Sequence, residues 1–70
     1  MKLCEVPEGE YVILDITDEV KLVVYQLGLV EGSVIEVEIK TPTTMVINLK
    51  PLGRIGISRS LARFVEVEPL

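Results

Sequence analysis

From Ile35 to Lys40 apolar and charged residues alternate without a break, with Ile35, Val37 and Ile39 set against Glu36, Glu38 and Lys40. An extended strand sorts such a run onto two faces, because successive side chains leave the pleat on opposite sides. One face is then covered and the other wet, as in a half-buried antiparallel sheet. Seventy residues leave room for one core, so residues 1–70 are expected to form a single domain built around this strand.

The other segments follow the same pattern. In Tyr11-Val12-Ile13-Leu14-Asp15-Ile16 the period-two rule puts Val12, Leu14 and Ile16 on one face of a first strand. Met45, Ile47 and Leu49 point inward in a third, and Pro51-Leu52-Gly53 forms the turn after it. Ile55 and Ile57 flank Gly56 in a fourth, where the missing side chain fits a bend or close crossing. Val65 and Val67 face inward in a fifth over Phe64-Val65-Glu66-Val67-Glu68. Between the first two strands lies a helix. Thr17 or Asp18 caps it, Val20, Val23, Val24 and Leu27 make one stripe, and Gly28 ends it with Leu29 folding back on Val24. Ser58 caps a short helical turn through Arg59-Ser60-Leu61-Ala62-Arg63. A sheet this small avoids bare edges by curling on itself. The expected fold is therefore mostly β, a small barrel of about five strands, with one helix after the first strand and a helical turn before the last.

The chemistry this chain can offer is limited. It has no histidine, the commonest general base and transition-metal ligand. No phosphate-binding glycine motif occurs, and Cys4 is the only cysteine. No catalytic residue and no cofactor are expected, and the chain is not read as an enzyme. Cys4 reads as a small core hydrophobe in a reducing compartment. Met1-Lys2-Leu3-Cys4-Glu5 lacks the apolar stretch of a signal peptide, and no apolar run reaches the ~18 residues of a membrane span. The expected location is the cytoplasm, with membranes reached only through a partner. The Glu36/Glu38 and Glu66/Glu68 pairs read as solubilising charge, since a selective transition-metal site would recruit imidazole. No metal site is expected.

Two segments carry a resemblance. Leu27-Gly28-Leu29-Val30-Glu31-Gly32-Ser33 is similar to the helix-exit signature Leu-Gly-Leu-x-Pro-Gly of the ferrous iron transport A (FeoA-type) domain, with Glu31 in place of proline. Ile57 to Val67 resembles that family's closing segment, in which a turn bearing Leu61-Ala62 feeds the last strand. The resemblance runs from Met1 to Pro69 and implies an SH3-like barrel. Leu27, Gly28, Leu29, Gly32, Leu61 and Ala62 would encode the fold. The implied role is that of a cytosolic accessory protein that binds and regulates or assembles a FeoB-type ferrous iron permease.

Two surfaces suit a partner. Residues 1–38 carry nine acids and two bases, whereas residues 39–65 carry Lys40, Lys50, Arg54, Arg59 and Arg63 and no acid. Arg54, Arg59 and Arg63 are the preferred contacts, as arginine is enriched at interfaces. On the helix Leu22 falls opposite the Val20/Val24/Leu27 stripe with Tyr25 on its flank, a candidate contact for a partner or a second copy. Two other readings remain: the C-terminal SH3-like module of an iron- or manganese-dependent repressor, and a nucleic-acid-binding barrel. Against the latter stand a net charge of −4 and three aromatic residues.

Overall fold

The computed structural model describes residues 1–70. Its strands are β1 (Gly9–Ile16), β2 (Val34–Lys40), β3 (Thr44–Asn48), β4 (Arg54–Ser58) and β5 (Val65–Pro69). They form one antiparallel sheet in the order β4-β3-β2-β1-β5, the mostly β, five-stranded barrel expected from the strand pattern, of the SH3-like kind that the resemblance implies. A 3-10 turn over Asp18–Val20 leads into α1 (Lys21–Gln26), and α2 (Arg59–Ala62) joins the two outer strands. A further 3-10 turn spans Leu3–Glu5. The core is wholly apolar, with Leu3, Ile13, Ile16, Leu29, Ile35, Met45 and Ile47 among its fully buried side chains.

Two bulges overturn parts of the alternation. In β1 the buried residues are Tyr11 and Ile13, whereas Leu14 is exposed and Val12 half-buried. Opposite β5, Ile13 pairs Val67 and Asp15 pairs Glu66, so Leu14 is the extra residue of a bulge. That extra residue shifts the phase and returns Ile16 to the core. In β2 the register slips between Val37 and Ile39. Ile39 is therefore 52% exposed rather than inward. Lys40 is half-buried beside Met45, its ammonium donating to the Val6 carbonyl at 3.3 Å.

The helix is shorter than its stripe implies. Thr17 precedes the 3-10 turn without a side-chain capping bond. Val24 is buried, and Val20 and Leu27 pack partly against the core, but Val23 is exposed. With α1 only six residues long, the inward stripe narrows to Val20, Val24 and Leu27. Its end is a complete Schellman motif. The Gly28 N–H donates to Tyr25 O at 2.9 Å and the Leu29 N–H to Val24 O at 3.2 Å. Gly28 makes this reversal at φ +99°.

Candidate functional site

The outer face of α1 gathers the largest apolar side chains that the barrel leaves uncovered near one another in sequence. Leu22 is 71% exposed and Tyr25 39% exposed. Three residues apart, they are neighbours on the helix surface, Leu22 turned away from the buried Val24 and Tyr25 on the flank of the core stripe. The sequence marks both positions through the helical wheel. It does not mark the polar groups around them, which depend on the loop after α1. The Tyr25 hydroxyl donates to Glu31 Oε1 at 2.7 Å. Lys21 Nζ lies 3.0 Å from Asp18 and 3.6 Å from Glu31. Glu31, the residue in the proline position of the helix-exit signature, thus fixes the ring of Tyr25.

The electrostatics follow from these bonds. The hydrogen bond from Tyr25, followed by a backbone bond and the Lys21 charge, holds the Glu31 carboxyl below the usual carboxylate range. The same bond to Glu31 raises the Tyr25 phenol, and the bond to Asp18 raises the Lys21 ammonium. Tyr25→Phe removes the leading cause of the Glu31 shift. An NMR titration of the side-chain carboxyl carbon should then show Glu31 moving back toward its ordinary value. A Glu31 titration identical in the two proteins would contradict this arrangement.

The basic segment forms no single patch. Lys50 sits between Glu10 and Glu36 at 3.4 and 3.0 Å. Arg54 reaches back across β3 to Glu38 on β2, and this bond, with one from Asn48, holds the Glu38 carboxyl below the carboxylate range. Arg59 donates to the Cys4 carbonyl at 2.8 Å and to the Thr41 carbonyl at 3.3 Å, tying the first 3-10 turn to α2. Arg63 lies over the Phe64 ring, 4.8 Å from its centroid, and is the member with no carboxylate or carbonyl partner. Two residues of the basic segment, Lys50 and Arg54, are thus paired with Glu10, Glu36 and Glu38 of the acidic one across the sheet. Glu36 and Glu66 stand on β2 and β5 with β1 between them, and no three Cys, Asp or Glu side chains converge.

The glycine and leucine positions of the two sequence signatures set this geometry. Gly28 and Leu29 close α1, and the Gly32 N–H bonds the Ile13 carbonyl at 2.8 Å, fastening the loop to β1. The Ser58 hydroxyl accepts from the Leu61 N–H at 3.2 Å, capping α2, whose Ala62 is fully buried. No helix is long and apolar enough to cross a membrane.

The profile of the FeoA domain family matches residues 1–69. Among solved structures, an iron uptake regulatory protein (FeoA) is similar at TM-score 0.88 and 24% identity, covering 100% of this chain and 97% of its own. A FeoA-like protein from Clostridium acetobutylicum is similar at TM-score 0.87 and 24% identity, covering 100% and 86%. The FeoA protein of Chlorobium tepidum gives TM-score 0.83 and 23% identity, covering 100% and 70%. No curated protein matches.

Proposed function

The chain belongs to the FeoA domain family, and on that premise we propose that it is a cytoplasmic accessory protein of ferrous iron uptake. It binds a FeoB-type iron permease, a membrane protein with a cytosolic G-protein domain, and regulates or assembles it through protein–protein contacts. The observation that carries the contact is the outer face of α1. Leu22 and Tyr25 stand exposed there, with Asp18, Lys21 and Glu31 bonded beside them. An aromatic anchor and an aliphatic side chain inside a polar rim is the usual anatomy of a binding hot spot. Tyr25 is already oriented by Glu31, so little rotamer freedom is lost on docking. Arg63 is the basic residue of residues 39–65 freest to add an ion pair, because its guanidinium bonds neither a carboxylate nor a carbonyl and rests only on the Phe64 ring. A partner that presents an apolar pocket edged by both signs of charge fits this face.

The test is binding of the full chain to detergent-solubilised permease. Leu22→Glu, at a position 71% exposed, should leave the barrel folded and weaken binding at least about tenfold, or ~1.4 kcal/mol. A folded Leu22→Glu protein that binds as tightly as the parent would remove α1 from the interface. If the parent chain retains no permease at micromolar concentrations, the partner itself is wrong.

A further inference from the structure

The two edges of the sheet are treated differently. On β5 the chain covers its own outer edge. The Val67 N–H donates to the Met1 carbonyl at 2.7 Å, the Met1 ammonium bonds the Val67 carbonyl at 2.9 Å, and Lys2 bridges Glu66. On β4 nothing does so. Strand β3 pairs one side of β4 from Arg54 to Ser58 without a bulge, and no strand lies on the other.

Which groups face that open side follows from the ladder. Bonds from Leu49 N to Gly53 O and from Arg59 N to Thr43 O frame the β3–β4 pair at 2.8 and 2.9 Å. Antiparallel bonding alternates residue by residue. Ile55 and Ile57 therefore bond toward β3, and Arg54, Gly56 and Ser58 turn their N–H and C=O groups outward. Such a row is a template for another strand unless charge, proline or a bulge blunts it. None of these is present from Ile55 to Ser58. The one charge, on Arg54, is drawn away across the sheet to Glu38.

We infer that β4 is a homodimer edge, at which two copies of this chain join their sheets antiparallel about a two-fold axis at Gly56. The occupant is a second copy because the outward row is self-complementary. Gly56 meets Gly56 of the second copy, and Arg54 meets Ser58, so no like charges stand opposite one another. Such an isologous closure is the commonest form of soluble oligomer. The outer face supports it: Ile39 pairs Val46, and Val46 pairs Gly56, so an apolar row leads across the sheet to the axis. Gly56 is exposed and brings no side chain to obstruct the approach. This inference stands independently of the permease contact on α1.

The experiment uses Gly56→Pro. Its ring removes an N–H that faces outward, and a Cβ there meets nothing closer than Thr44 Cγ2 at 3.9 Å, so the β3 ladder is kept. Sedimentation equilibrium of the parent chain should show a concentration-dependent dimer, and folded Gly56→Pro should be shifted at least about tenfold toward monomer. Amide exchange in the parent should slow with concentration at Arg54, Gly56 and Ser58, and stay constant at Ile55 and Ile57. A parent that stays monomeric to millimolar concentration overturns the inference. So does a dimer whose affinity Gly56→Pro leaves unchanged, or exchange at those three amides that ignores concentration. If the edge binds an extended peptide of a partner while the chain remains monomeric, the edge is functional and the homodimer is wrong.

Discussion

Leu29→Ala should destabilise the domain by about 2–5 kcal/mol, the range for emptying a fully buried leucine site. Leu29 has no exposed surface. Its backbone also closes the Schellman motif with Val24, so the α1–β2 loop cannot swing in to fill the void without breaking the helix end. A core of this size yields only ~3–5 kcal/mol of net stability, so the substitution consumes most or all of it. Urea unfolding followed by circular dichroism should show either a midpoint shifted far down or no folded baseline at 25 °C. A loss below about 1 kcal/mol would mean that the loop collapses into the cavity and that Leu29 is not a fixed anchor.

Gly28→Ala should be the second most damaging change, through a different cause. Gly28 sits at φ +99°, where an L side chain is strained by about 1–3 kcal/mol. A Cβ there would also approach Leu49 Cδ1 to 3.0 Å, so the leucine has to yield. Gly32 provides the control: its φ is +87°, but a Cβ would meet nothing within 4 Å. Gly32→Ala therefore carries the backbone strain alone and should be the milder of the two in the same urea titration. Equal losses would show that Leu49 moves aside freely and that backbone conformation accounts for the whole effect.

The elements themselves are legible in the sequence because period and punctuation agree. Met45, Ile47, Val65 and Val67 alternate and are buried. Ser58 caps α2, and Gly28 with Leu29 ends α1 as their types dictate. What misleads is strict alternation through Leu14 and Ile39. A bulge costs one residue of phase and leaves no compositional mark in an apolar run, so only the pairing with β5 or β3 reveals it. At the candidate site the helical wheel places Leu22 outside and Tyr25 on the flank of the core stripe, because it needs only the direction of the core; that Tyr25 is 39% exposed comes from the structure. The partners of Tyr25, Arg54 and Arg59 are separated from them by six, sixteen and fifty-five residues. Charge totals along the chain hold no information on those meetings, which is why the basic segment looks freer in sequence than it is in space.

The strand order has a consequence for how the chain reaches this state. β1 is the first strand made and lies inside the sheet, yet one of its neighbours is β5, the last of the five strands to be made. Local hairpins β2–β3 and β3–β4 need no distant segment and can form early. Closing β1 onto β5 is the long-range step, which pays its loop entropy before any contact rewards it. During synthesis Ile13 and Ile16 therefore stay without their Val67 and Val65 partners until Val65–Pro69 is available. The vulnerable species in the life of this protein is the nascent chain. Loss of the final strand would release an unclosed, aggregation-prone sheet rather than a slightly smaller barrel.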